Sequence, residues 1–201
     1  MRAEIKYVLG AVPDNPDNRD IPKLVKDVRI PDRFNLFAYA GKPYRQGKIG
    51  SCTGQTLAKC EEVMKRRIAP NQSEKVQLVS PLFTYALARE KAKWPDYDNG
   101  AFLRDVLKVS AKIGTLPEDL YTGKNNWAQL PTQQERSFAE HGRIKGYERI
   151  SVRGLDPVQD MRIVLAEENL PILISLQLFD GFHGSNTRRS GIVEMPGDHS
   201  R

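Results

Sequence analysis

The chain changes character at residue 52. Gly47 and Gly50 punctuate the approach, and Leu57, Cys60, Met64 and Ile68 then recur at spacings of three, four and four. That recurrence is one apolar stripe on a helix over 52–68. It places Cys52 in the first turn of the helix, directly after a glycine-containing loop. Lys65, Arg66 and Arg67 fall in the last turn, where cations suit the negative end of the helix dipole. The most basic run in the chain is therefore accounted for as a helix terminus.

Further helices follow from the same reasoning. Ser80 can cap, and Pro81 begin, a helix over 81–93. Leu103, Val106, Leu107, Ser110 and Ile113 share one side of a helix over 100–113, with Gly114 as its stop. Asp156 and Pro157 open a helix over 157–168. Pro171 to Phe179 is a short apolar run between breakers, which predicts a buried strand. Residues 114–135 read as irregular. Residues 10–20 hold Pro, Asp and Asn at a density that favours extended chain, and they read as an arm lying over a domain surface. Helices dominate early and strands late, so the predicted class is α+β.

A length of 201 residues suffices for one domain with a real core. No stretch approaches the roughly 18 apolar residues of a membrane span, so a membrane role is not expected. The first nine residues lack the apolar core of a signal peptide, so the default location is cytoplasmic. Residues 1–70 carry 14 Lys/Arg and 8 Asp/Glu, which accounts for the whole net charge of +6; residues 71–201 carry 17 of each. The basic residues are scattered rather than interleaved with stacking aromatics, so nucleic-acid binding is not expected either. The two cysteines, Cys52 and Cys60, would lie about 12 Å apart along one helix. That is too far for a disulfide, and both are expected as free thiols.

A thiol at a helix N-terminus is expected to have a depressed pKa and to be a nucleophile. Attack on a carbonyl also needs donors for the developing oxyanion. The backbone N–H of Cys52 is one candidate, and the carboxamide of Gln46, six residues earlier, is another. From the segment alone, a small buried residue is an equally good reading of Cys52. No Cys-x-x-Cys or His-Glu-x-x-His spacing is present, so neither metal nor cofactor is expected.

The segment Gln46-Gly47-Lys48-Ile49-Gly50-Ser51-Cys52 resembles the active-site segment of papain-family cysteine peptidases. It keeps the Gly-Ser-Cys core of that signature; Ile49 stands where the family has a first cysteine and Thr53 where it has an aromatic. The likeness continues through Pro13–Asp20, Ser80–Tyr85, Asp98-Asn99-Gly100 and Gly114–Glu118. The opening arm resembles prokaryotic-style members without a long propeptide. The resemblance implies a papain-like fold: an arm over 1–20 and a peptidase domain over 21–201, helical over about 46–125 and β-rich over about 126–201. It implies Cys52 as nucleophile, Gln46 as oxyanion donor, and Asn99 and Gly100 lining the cleft for a protein or peptide substrate. The family's histidine follows the cysteine by about 130–150 residues. His183 and His199 lie 131 and 147 residues past Cys52. The Pro196-Gly197-Asp198 setting favours His199, and His141 reads as a surface residue.

No asparagine follows His199 to orient its ring, and the family's closing strands have no counterpart before Arg201. The 201-residue chain alone is therefore expected to hydrolyse peptides weakly or not at all. The native protein would then be longer, be completed by a second polypeptide, or be a silent remnant serving as a binding or structural module. Amide transfer or deamidation through the same nucleophile is a third reading.

Overall fold

The computed structural model describes residues 10–23, 29–69, 76–150 and 157–193. Three helices build its centre: α1 (Cys52–Ile68), α2 (Pro81–Lys91) and α3 (Leu103–Lys112). All three were legible from apolar spacing and from Pro81. Leu57 of α1, Leu82, Phe83, Tyr85, Leu87 and Ala88 of α2, and Val106 and Val109 of α3 form one core with Leu116 and Tyr121. Phe83 meets Tyr121 edge-to-face at 5.5 Å, the arrangement aromatic quadrupoles favour.

The expected stripe on α1 holds only in its first half. Leu57 and Cys60 are buried, but Met64 and Ile68 are exposed. The helix instead buries Glu61 and Glu62, which its own basic residues serve. Arg66 Nε pairs with Glu62 at 2.9 Å and Lys65 Nζ with Glu61 at 3.7 Å. Lys59 also pairs with Glu62, at 2.5 Å. The basic run thus neutralises buried carboxylates one turn away, which is where i,i+4 partners lie on a helix.

Later elements depart further from expectation. Residues 133–139, read as the end of an irregular stretch and beyond, form α4 (Gln133–Ala139). Its start is a capping box: Thr132 Oγ1 accepts from the Glu135 backbone, and the Glu135 carboxylate accepts from the Thr132 N–H. The Thr-x-x-Glu spacing is a helix-start signal in its own right. Helix α5 (Pro157–Glu167) matches expectation apart from Asp156, which lies outside the described residues. A short helix, α6 (Ser185–Ser190), follows the turn at His183.

The strand expected over 171–179 is not formed. Among the described residues this segment pairs with no strand; Leu173 packs on the core while Ile174, Leu176 and Phe179 are exposed. A strand needs a neighbour to take its backbone groups, and no described segment pairs with this one. Among the described residues of 126–201, strand is confined to Arg149–Ile150, far less than the β-rich half that was expected. No described helix is long and apolar enough to cross a membrane.

Among the described residues four two-residue strands form two parallel pairs, one involving the N-terminal arm and the other the segment just after it. Strand β1 (Ala11–Val12) pairs with β3 (Ala101–Phe102), and β2 (Pro22–Lys23) pairs with β4 (Arg149–Ile150). Between them, three arm carboxylates meet the cations of α3. Arg104 grips Asp20 at 2.6 and 2.9 Å, and its backbone N–H donates to Asp14 at 3.2 Å. Lys108 reaches Asp17 at 3.3 Å, and Arg149 adds a contact to Asp20 at 3.0 Å. The Arg104 hydrogen bond holds the Asp20 carboxyl below its ordinary range, whereas burial pushes Asp14 up. Asp14 and Asp20 were visible as turn formers; their ion pairs are what fix the arm's course.

Candidate active site

Cys52 is the first residue of α1 and is half-buried. The loop before it is shaped locally. Gln46 Nε2 donates to the Ile49 carbonyl at 2.9 Å, and the Ile49 N–H returns to the Gln46 carbonyl at 3.4 Å. One hydrogen bond thus orients the Gln46 carboxamide. Gln46 also borders a cavity of about 190 Å³, together with Tyr44, Gln55 and Glu118. Burial pushes the Glu118 carboxyl up. A larger cavity, between residues 30–35 and α5, contains none of the candidate site residues.

The arm passes over the nucleophile. The backbone amide of Gly10 lies close enough to the Cys52 sulfur to favour its thiolate form, as do the amides of Thr53 and of Cys52 itself. The Gly10 carbonyl accepts from the Ala101 N–H at 2.9 Å. A Cβ on Gly10 would overlap the Gly50 carbonyl, and one on Gly100 would overlap the Gly10 carbonyl. Gly100 also has φ of 87°, a backbone region that side chains disfavour. The contact is backbone on backbone, and glycine makes it possible on both sides.

The Cys52 thiol departs from the expected depression. Burial pushes it up, and the three amides pull it down without overcoming that. A helix terminus favours the thiolate only while the sulfur stays hydrated or meets a cation. Cys60, buried inside α1, is pushed up further, to about 12, by burial and then by Glu61.

The other expected residues are placed as follows. Gly100 is buried just before β3, and Asn99 is exposed beside it. His199 lies outside the described residues. His183 ends a 3-10 turn and packs edge-on against Phe182. His141 is on the surface, as expected. Trp94 stacks on Phe102, and Trp127 packs against the core. No described group of three or more His, Cys, Asp or Glu residues could hold a metal ion.

Sequence reasoning passed over two residues that tie the site together. The Asp98 carboxylate accepts from the Gly50 N–H through both oxygens, at 3.0 and 3.1 Å. Tyr85 donates its hydroxyl to the same carboxylate at 2.5 Å and accepts from the Gly100 N–H at 3.2 Å. Both residues sit inside stretches that carried the papain-family resemblance. No spacing rule could show that carboxylate meeting an amide 48 residues away.

Seating of the arm gives a testable consequence. Gly10→Ala is expected to lift the arm, and iodoacetamide should then label Cys52 severalfold faster, with Cys60 still slow. Release of the arm hydrates the sulfur, so the midpoint of the labelling rate against pH should fall toward the ordinary thiol value of 9.0. An unchanged rate and midpoint would mean that the arm does not shield the thiol.

No protein-family model matches the chain, and no curated protein does. Among solved structures the chain is similar to xylellain, a cysteine protease from Xylella fastidiosa, with a TM-score of 0.66 and 24% sequence identity. The match covers 83% of this chain and 66% of that one. The likeness shows the fold alone, a mixed helix-and-strand chain folded like xylellain.

Proposed function

We propose that the chain is a cysteine peptidase with Cys52 as its nucleophile. One observation carries this reading. An extended backbone segment, Gly10–Val12, already lies against Gly50, two residues before Cys52, and pairs with β3. The surface beside Cys52 therefore accepts an extended peptide, which is the form a peptidase must bind. The shared fold with xylellain, itself a cysteine protease, supports the same reading.

In this proposal residues 1–20 are an arm on a peptidase domain over 21–201. Substrate displaces the arm and lies along Asn99, Gly100 and β3. The Cys52 sulfur, having given its proton to His199, attacks the scissile carbonyl. The Gln46 carboxamide and the Cys52 N–H receive the oxyanion. The intermediate collapses to a thioester while His199 returns its proton to the leaving amine. Water then hydrolyses the thioester and frees the thiol. The upward push on the Cys52 thiol favours one second reading, a catalytically silent binding module.

Hydrolysis of casein by the purified chain, beside its Cys52→Ala variant, separates the two. The peptidase reading expects slow cleavage above the variant's background. Identical traces over long incubation, with the arm displaced by Gly10→Ala in both proteins, would leave the silent module.

A further inference from the structure

Two segments must keep a fixed spacing for the proposed chemistry: the loop that ends at Cys52 and the stretch at Gly100 that receives substrate. They come from distant parts of the chain. What joins them is a short polar chain in the wall between α1 and α2. It runs from the Gly100 N–H to the Tyr85 hydroxyl, from that hydroxyl to Asp98, and from Asp98 to the Gly50 N–H. Gly50 lies two residues before Cys52. The contact is tight, since a Cβ on Gly50 would lie 3.2 Å from the Gly100 nitrogen and 3.3 Å from the Tyr85 hydroxyl.

The donor and acceptor roles are forced. Gly50 and Gly100 offer only N–H donors, so the Tyr85 oxygen must accept from one and the carboxylate from the other. Tyr85 must then donate to Asp98. Burial, and then the Asp98 contact, push the Tyr85 phenol well up, so it keeps the proton that this role requires. Tyr85 is fully buried. One turn along α2, Arg89 donates to the carbonyls of Pro95 at 2.5 Å and Tyr97 at 3.1 Å. The same helix face thus supplies Tyr85 and fixes the loop that delivers Asp98.

We propose that Asp98, acting through Tyr85, is the positioning residue that sets the substrate-accepting backbone at Gly100 in register with the Cys52 nucleophile. This rests on the peptidase reading. Neither residue touches substrate. An aspartate is suited to the task because one carboxylate can accept from the Gly50 N–H and from the Tyr85 hydroxyl at once. Asparagine would turn an NH₂ toward a donor, and phenylalanine at 85 would leave the buried Gly100 N–H without an acceptor.

The test compares two reagents on the intact chain. Iodoacetamide needs only the thiol. Benzyloxycarbonyl-Phe-Ala chloromethyl ketone needs the thiol and a peptide held in register with it. Both need the arm lifted, so that step cancels in the ratio of their rates. The native chain should favour the peptidyl reagent. Tyr85→Phe and Asp98→Asn should each lower the ratio about tenfold, the usual effect of orphaning one buried donor, while the iodoacetamide rate moves far less. A variant that merely unfolds would speed both reagents and expose Cys60, and the other variant then decides. A ratio kept at the native value in a folded variant overturns the proposal. A native ratio near one overturns the peptidase reading instead, and the proposal with it.

Discussion

Arg89→Ala is expected to destabilise the chain by about 3–5 kcal/mol, the cost of removing a buried charged group and leaving both a cavity and unpaired polar atoms. Arg89 is wholly buried on α2. Its guanidinium donates to the carbonyls of Pro95, Tyr97 and Trp127, and it lies 4.7 Å and 4.8 Å from the ring centres of Tyr85 and Trp127. Burial lowers its pKa, yet an arginine keeps its charge under such conditions. Truncation leaves three carbonyls without their donor and a void beneath two aromatic rings. For a chain of this size the melting temperature should fall on the order of 10 °C, read by circular dichroism. Arg89→Lys should recover only part of the loss, because one ammonium cannot reproduce the planar fork. A loss under about 1 kcal/mol for the alanine variant would show that the carbonyls find other partners.

Gln46→Ala is expected to lower kcat on a peptide substrate by a factor on the order of 10²–10³, the usual effect of one oxyanion donor. The same change removes the Gln46–Ile49 hydrogen bond. That bond is local, and its loss should cost about 1 kcal/mol of stability. Fold and iodoacetamide labelling of Cys52 should therefore persist. A change confined to KM would make Gln46 a loop residue and no more.

The parts of this fold that are local in sequence were legible from it. Helix α2 begins at Pro81 because Pro81 suits a first turn, and α3 ends before Gly114 because that glycine can leave the helix at φ of 111°. Cys52 was expected at a helix start and is there. What depends on distant parts of the chain was not legible. The arm's course is set by Asp14, Asp17 and Asp20 meeting Arg104, Lys108 and Arg149, pairs that no periodicity reveals. The thiol's upward shift follows from burial, which spacing does not report. The run 171–179 has the composition of a strand, but composition cannot supply the neighbour that a strand must pair with. Helix α4 was a different kind of miss, since its Thr132-x-x-Glu135 capping box was present in the sequence.

A nucleophilic Cys52 must become acylated when it attacks a carbonyl, and the acyl group can be trapped on it. The chain is mixed with the p-nitrophenyl ester of a benzyloxycarbonyl dipeptide, quenched in acid within seconds, digested with trypsin and weighed. Cleavage after Lys48, Lys59 and Lys65 places Cys52 and Cys60 in separate peptides. The acyl mass is expected on the peptide Ile49–Lys59, removable by hydroxylamine and absent from Cys52→Ala. Acyl mass on Cys60 or on lysines alone, unchanged in that variant, would contradict a nucleophilic Cys52.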